Sequence, residues 1–200
     1  MKTFARLFAA ILCAMPLCVA QASAATSTPA SGAKTLPSGL NFTYDAQHDQ
    51  IVANGLQLKA HSLTTPTIPP TTGTITVTLN IKLVSHYRER TEIHCSLTVI
   101  GGEIDLTNGL IDGAVETANG TGQVDREGGS ATCKLTIPYS WSLVPDPSAT
   151  AGLILAVGAS EVVSNGSTST DVLRSTLQVG GPEPLPTDGG KSSFVFDVAL

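Results

Sequence analysis

The sequence predicts an all-β protein, an antiparallel β-sandwich with one disulfide, and three observations support this fold class. Apolar and polar residues alternate along several stretches, most clearly over residues 74–84 and 130–144. Turn-forming residues, mainly Gly, Asn and Pro, recur about every ten residues. No stretch repeats its apolar residues with the 3.6-residue period of an amphipathic helix. Short strands separated by frequent turns are typical of two packed antiparallel sheets.

Residues 1–24 have the features of a secretory signal peptide. Lys2 and Arg6 precede an apolar run over residues 7–20, and a small-x-small sequence ends at Ala24. The run is shorter than the roughly 20 apolar residues that span a bilayer, so we expect cleavage near Ala24 and no membrane-spanning segment afterwards. The sequence therefore predicts a secreted or periplasmic protein.

After the signal peptide, a flexible leader over residues 25–37 is predicted, because this stretch is rich in Ser, Thr, Ala and Pro. A single β-sandwich domain is predicted over residues 38–200. Within it, residues 38–61 are expected to form an added hairpin that turns at Asn54-Gly55, a dipeptide that tolerates positive φ. A Thr/Pro-rich connector, residues 62–73, follows. The piece before the connector is smaller than the roughly 40 residues that fold alone, so it should pack onto the main body.

Two cysteines remain once Cys13 and Cys18 leave with the signal peptide, namely Cys95 and Cys133. An exported chain meets an oxidising environment, so these two are expected to pair. Both occupy apolar positions of alternating stretches, which places the bridge between packed strands. Redox-active pairs usually lie close together in sequence, so the predicted role of this disulfide is structural.

The individual strands follow from the same alternation. Residues 74–84 and 92–100 are expected to pair as a long hairpin with their apolar sides inward. Pro138 should mark a bulge or an edge, because proline cannot donate to a ladder. Residues 152–157 are continuously apolar, which predicts a buried strand, whereas residues 101–129 should form short outer strands and loops. The other predicted strands are residues 40–44, 51–53, 56–58, 130–144, 171–179 and 194–200.

Tyr139 and Trp141 share the parity of Cys133, Leu135 and Ile137, which favours the core over an exposed sugar-stacking platform. A tryptophan near a disulfide resembles immunoglobulin domains, although here it follows both cysteines instead of lying between them. The expected sandwich is therefore Ig-like or jelly-roll-like in general architecture only.

Charge and motif content narrow the functional classes. Removal of Lys2 and Arg6 reduces the 11 basic residues to 9 against 16 acidic ones, a net charge of −7. An acidic surface repels phosphate backbones, so nucleic acid is not an expected partner. No serine lies between glycines at a nucleophile elbow, and no phosphate-binding glycine pattern occurs. We therefore expect a non-enzyme with no catalytic residues, no cofactor-binding residues and no cofactor.

The candidate metal site consists of His86, Glu92 and His94. If residues 87–91 form a turn, these three side chains share one polar face, and two imidazoles and a carboxylate could bind zinc or copper. The competing interpretation is a solvated hairpin tip whose charged side chains interact weakly. It is preferred because no residue supplies a second hydrogen-bonding shell, so no metal site is expected.

The leading functional expectation is an exported non-catalytic protein that acts as an envelope, adhesive or accessory binding component. Its partner would be a protein or glycan at the cell surface, of unknown identity. The alternating residues 194–200 resemble the terminal strands of pilus subunits that exchange strands and those of outer-membrane barrels. These resemblances imply, as alternatives, a subunit of a surface assembly or a small outer-membrane barrel. A secreted hydrolase is a further alternative.

Overall fold

The computed structural model describes residues 25–26, 28–29, 36, 39–58, 71–84, 91–104, 110–125, 128–141, 150–164 and 170–200. These residues form β-strands and turns, so the predicted all-β class is confirmed. The strands are β1 (Ala25–Thr26), β2 (Thr28–Pro29), β3 (Asn41–Asp45), β4 (Gln50–Asn54), β5 (Gln57–Leu58), β6 (Thr71–Lys82), β7 (Thr91–Ile104), β8 (Leu110–Thr121), β9 (Gln123–Asp125), β10 (Ser130–Trp141), β11 (Thr150–Ser164), β12 (Thr170–Glu183) and β13 (Gly190–Ala199). The described part of the chain contains no helix that is long and apolar enough to cross a membrane. The predicted signal peptide and residues 62–70 of the predicted connector lie outside the described residues.

Two sheets pack face to face. The four-stranded sheet has the order β13-β6-β10-β9, and the six-stranded sheet has the order β2-β12-β11-β7-β8-β5. Most neighbours are antiparallel, but β13 runs parallel to β6, β2 to β12 and β5 to β8. The chain passes from β8 in one sheet to β9 in the other at Gly122. The sandwich is therefore joined along one side by a continuous backbone.

The main core lies between these two sheets and follows the predicted alternation. Its fully enclosed side chains include Ile75, Val77, Leu79 and Ile81 of β6, Ile93, Leu97 and Val99 of β7, Leu153, Leu155 and Val157 of β11, and Ile137 and Trp141 of β10. Cys95 of β7 and Cys133 of β10 form a disulfide with a Cα–Cα distance of 6.5 Å. This bridge joins the two sheets through the core, and the predicted pairing is confirmed.

Tyr139 and Trp141 are buried at one end of this core and stack with ring centroids 4.4 Å apart. The prediction that they belong to the core is confirmed. The tryptophan ring lies directly over Gly101 of β7, where a Cβ atom would collide with it. Glycine at this position therefore makes room for the largest side chain of the core.

A second core covers the outer face of the six-stranded sheet. The small sheet β1-β3-β4 lies on this face, and the buried side chains of the second core are Leu40, Phe42, Tyr44, Ile51, Ile100, Ile154, Ala156, Leu177 and Val179. Strand β11 is consequently buried on both faces, as its continuous apolar sequence predicts. Where the small sheet covers β7 and β11, their outward-facing side chains are therefore not exposed to solvent.

The long hairpin predicted for residues 74–84 and 92–100 is wrong. Strand β6 pairs with β10 and β13, whereas β7 pairs with β8 and β11 in the opposite sheet. Both strands do turn their apolar sides inward, so they face each other across the core instead of lying edge to edge. Alternation specifies the buried face of a strand but does not specify its lateral neighbour.

The tight hairpin turn predicted at Asn54-Gly55 is also wrong. Strand β3 pairs with β4 through a turn at residues 46–49, and β5 leaves to pair with β8. Gly55 has a φ of 77°, and a Cβ atom there would collide with the carbonyl oxygen of Gly39. A close approach between two chain segments therefore explains this glycine.

Strand β8 was expected to be a short outer strand, yet it pairs with β7 over residues 111–121. Where its side chains are described, the apolar residues of β8 that pack against the main core are the small Ala114 and Ala118. A Cβ atom at Gly120 would lie 2.8 Å from the Leu135 side chain. Large side chains from β10 fill this region, so β8 lacks the apolar alternation that would reveal it. On β10 itself, Pro138 lies beyond the three-residue pairing with β9, so the predicted edge position is confirmed.

Candidate functional site

The candidate site lies where the β3–β4 turn meets strand β7. Asp45 shapes this turn, because its Oδ1 accepts hydrogen bonds from the backbone N–H groups of Gln47 at 3.1 Å and His48 at 3.3 Å. Its Oδ2 lies 2.6 Å from His48 Nδ1, and hydrogen bonding by His48 is the main cause that lowers the pKa of Asp45. Asp49 closes the turn with a φ of 50°, a left-handed conformation that Asp adopts more readily than most residues. The turn thereby directs the Asp49 carboxylate at the sheet.

Asp49 meets His94 of β7 in this position. Asp49 Oδ2 lies 2.7 Å from His94 Nδ1, and both side chains are 24% exposed. The other ring nitrogen of His94, Nε2, lies 3.4 Å from Oε2 of the exposed Glu92. The imidazole is therefore held between two carboxylates, the nearer of which is half-buried and belongs to the hairpin.

Tyr44 extends this network into the second core. Its hydroxyl oxygen lies 3.2 Å from Asp49 Oδ1 and 3.2 Å from Oγ of the fully buried Ser160. A phenol carries one proton and a carboxylate only accepts, so Tyr44 donates to Asp49 and the Ser160 hydroxyl donates to Tyr44. Burial is the main cause that raises the pKa of Tyr44 far above its ordinary value. Burial therefore favours the neutral, protonated form of this phenol.

The Tyr44 ring rests on the backbone of Gly158 in β11. A Cβ atom at Gly158 would lie 2.8 Å from a carbon of this ring. Because real Cβ contacts are longer, any larger residue at this position would push the ring and its hydroxyl away from Asp49. The position of the polar network thus depends on one glycine in the central sheet.

This arrangement is suited to holding the hairpin in place. A serine nucleophile needs a general base at hydrogen-bonding distance and access for substrate, but Ser160 is fully buried and contacts a phenol. Among the described residues, no three His, Cys, Asp or Glu side chains are grouped so as to hold a metal ion. Asp49, His94 and Tyr44 instead form a polar latch, the name used below for these three residues, between the hairpin and the sheet.

The candidate metal triad that the sequence suggested, but did not favour, depended on pairing between β6 and β7, which does not occur. His94 and Glu92 do lie together on the outward parity of β7, whereas His86 lies outside the described residues. The interpretation preferred from the sequence, a solvated tip with weak contacts, does not describe His94, because this side chain is largely covered and bound to Asp49. Asp49 and Ser160 were missed because neither belongs to a motif. Tyr44 could have been recognised as buried, since it alternates with Leu40 and Phe42.

Apart from the polar latch, a polar contact joins the four-stranded and six-stranded sheets to each other. Glu161 of β11 is only 1% exposed, and its Oε2 accepts hydrogen bonds from Arg174 of β12, from Nε at 2.7 Å and also from Nη2. Arg174 Nη1 donates to the main-chain oxygen of Leu200 at 3.1 Å. The buried carboxylate is thus paired, as a buried charge requires, and the arginine connects the six-stranded sheet to the residue after β13.

The start of β13 is fixed by a third contact. Asp188 Oδ1 accepts hydrogen bonds from the backbone N–H of Thr72 at 2.8 Å and from its hydroxyl at 3.1 Å. The Gly189 N–H donates to the Thr72 carbonyl oxygen at 2.7 Å. The two hydrogen bonds from Thr72, and above all the one from its backbone N–H, lower the pKa of Asp188. They set the register in which β13 begins beside β6.

The outer face of the four-stranded sheet is exposed and polar. None of the described strands covers it, and its outward side chains are mainly Thr, Ser, Asn, Lys and Asp. Thr76 and Thr136 lie across from each other with their hydroxyls 3.4 Å apart, and Asn80 donates to Asp197 at 2.9 Å. Within this face, Val195 of β13 is a large apolar exception at 64% exposed.

Comparison with known proteins does not assign the chain to a family. No protein-family model, curated protein or solved structure matches it.

Proposed function

We propose that this chain is an exported, non-catalytic β-sandwich that acts through its surface as an envelope, adhesive or accessory binding component. The exposed outer face of the four-stranded sheet carries the proposal, because it presents hydroxyl, amide and charged groups that the described strands leave uncovered. The equivalent face of the six-stranded sheet is largely covered by the β3–β4 hairpin. The proposed partner is a protein or glycan that hydrogen-bonds to this polar face.

Two further observations support export. The N-terminal sequence has the order of a signal peptide, and the formed disulfide between Cys95 and Cys133 fits an oxidising compartment. The acidic balance of the chain supports a partner other than nucleic acid. Expression of the full chain, followed by fractionation and N-terminal sequencing, tests export. We expect a mature chain that begins after Ala24 in the periplasm or medium.

The test of binding uses the purified chain, a cell-envelope fraction and an array of surface glycans. Thr136→Glu alters the exposed face of the four-stranded sheet, and Thr117→Glu is the matched control on an exposed position of the other sheet. We expect Thr136→Glu to weaken binding about tenfold, in the range typical of central interface positions, and Thr117→Glu to leave it unchanged. Absence of binding by the parent chain, or equal losses in both variants, would refute the proposal.

The alternative of a strand-exchanging subunit draws support from β13. This strand pairs with β6 over ten residues, contributes Phe196 and Val198 to the core, and is preceded by residues 184–187, which are not in a strand. A subunit of this kind would form ladders on unheated denaturing gels that collapse to one band on heating. A single band without heating argues against this alternative.

A further inference from the structure

Strand β13 lies at the edge of the four-stranded sheet, and among the described strands it pairs only with β6. The Leu200 N–H donates to Lys82, and the Leu200 carbonyl oxygen accepts from Val84, so the backbone groups of Leu200 point toward β6. Because this direction alternates along a regular ladder, even-numbered residues of β13 use their backbone groups toward β6. Odd-numbered residues direct theirs away from it, and none of the described strands pairs with that side. An exposed edge of this length is a template for adding another strand.

The charges along β13 are self-complementary. Lys191 and Asp197 each lie three residues from Phe194, and both side chains are on the exposed face. If a second copy of β13 runs antiparallel with the two-fold axis at Phe194, Lys191 of each copy lies opposite Asp197 of the other. Ser193 then lies opposite Val195. All four are odd-numbered, so the register that matches the charges also matches the free backbone donors and acceptors.

Strand β8, a long strand near the opposite edge of the six-stranded sheet, does not have this property. Strand β8 carries Asp112 and Glu116 and no basic residue, so an antiparallel pair of β8 strands would bring like charges together. Lys191 makes no hydrogen bond or ion pair within the described part of the chain, and Asp197 has Asn80 as its partner on Oδ1. One oxygen of Asp197 is therefore available for a lysine from a neighbouring strand.

We propose that the chain forms a two-fold symmetric homodimer through antiparallel pairing of its β13 strands. The two four-stranded sheets become one continuous sheet across the dimer, and the exposed Val195 packs beside Ser193 of the other copy. One strand pair buries less surface than a standard stable interface, so the dimer is weak and depends on concentration. This inference does not rest on the proposed binding function.

The experiment is sedimentation equilibrium of the exported chain over a wide concentration range. Lys191→Asp places like charges at both symmetric positions, and we expect the dissociation constant to rise about tenfold. The double variant Lys191→Asp/Asp197→Lys restores opposite charges and should recover most of the parent affinity. Lys134→Asp changes the same charge on β10 of the same exposed face and should have no effect. The thermal unfolding of each variant is measured to confirm that it remains folded.

A second variant tests the backbone pairing separately from the charges. Val195→Pro removes an N–H that points away from β6, a change that edge strands tolerate, and it should abolish the dimer while the monomer stays folded. A monomer at all concentrations, a dimer that Lys191→Asp does not weaken, or a failure of the double variant to recover affinity would overturn the proposal. A mixture of Thr76→Cys and Ser193→Cys chains provides a further test, because these positions are opposite each other on β6 and β13. An interchain disulfide between them requires strand exchange and would also overturn the proposal.

Discussion

The Tyr44 hydroxyl makes one hydrogen bond within the β3–β4 hairpin, to Asp49, and one with Ser160 of the sheet, and Tyr44→Phe removes both without changing the ring that packs on Gly158. The bond to the Asp49 carboxylate is charge-assisted, and the bond from Ser160 is neutral. Such bonds contribute about 1.5–3 and about 1 kcal/mol respectively, and a buried hydroxyl left without a partner costs about 1–3 kcal/mol. Asp49 is 24% exposed, so water replaces part of its lost bond. We expect the variant to lose about 2 kcal/mol in the free energy of unfolding.

Urea unfolding of Tyr44→Phe, Ser160→Ala and the double variant measures this effect. Ser160→Ala removes the hydroxyl that Tyr44→Phe leaves without a partner, so the double variant should lose less stability than the two single changes add up to. Tyr139→Phe is the matched control, because the Tyr139 hydroxyl has one long contact, 3.5 Å from the Thr187 carbonyl oxygen. It should cost under about 0.5 kcal/mol. Hydrogen exchange should also show faster exchange of the β3 and β4 amides in Tyr44→Phe. If Tyr44→Phe behaves like Tyr139→Phe in both measurements, the polar latch does not hold the hairpin.

Three other predictions concern stability. The double variant Cys95→Ala/Cys133→Ala removes a crosslink that spans 38 residues, and its free energy of unfolding should fall by about 4 kcal/mol on the chain-entropy model. Urea unfolding of the variant and of the parent, each with and without reductant, measures this change. A loss below about 1 kcal/mol would contradict the prediction. Gly158→Ala should lower the melting temperature more than a glycine-to-alanine change normally does, because the added methyl displaces the ring above it; calorimetry that shows a stabilised variant would refute this. Asp188→Asn should lower the melting temperature at neutral pH, since the folded-state pKa of Asp188 is depressed by its bonds to Thr72. That stabilisation is present above the unfolded pKa of about 4 and is lost as pH falls through the folded pKa. The melting temperatures of parent and variant should therefore converge in acid. A difference in melting temperature that stays constant with pH would contradict the role of this contact.

Alternation along the chain predicted the faces of the strands well. The inward parity of Cys95, Cys133 and Trp141 could be derived from spacing alone, because a half-buried strand has a period of two. Pairing of the cysteines followed from their number outside the predicted signal peptide. Lateral neighbours could not be derived, since β6 and β7 would show the same alternation whether they paired or faced each other across the core.

The polar latch could be predicted only in part. Glu92 and His94 lie at alternate positions to Cys95, so their side chains are expected to point outward when that of Cys95 points inward. The partner of His94, however, is Asp49, which is 45 residues away. Asp49 has no periodic pattern around it, and its role depends on a turn at residues 46–49. Asn54-Gly55 is the more familiar turn sequence, so the hairpin turn was predicted there instead. Contacts of this kind depend on how the hairpin docks, and a single sequence contains no local signal for docking.

The two long sides of the sandwich are joined by different means. On one side the chain itself crosses between the sheets at Gly122, and a Cβ atom there would lie 3.2 Å from Cys133 Sγ, so the disulfide lies next to this crossing. On the other side, β12 continues into β13 through the longer connection of residues 184–189, and a polar link runs from Glu161 through Arg174 to Leu200. We expect mechanical tension to separate the β12–β13 side first, because its connecting segment is longer than the single residue at Gly122 and the disulfide lies at the opposite side.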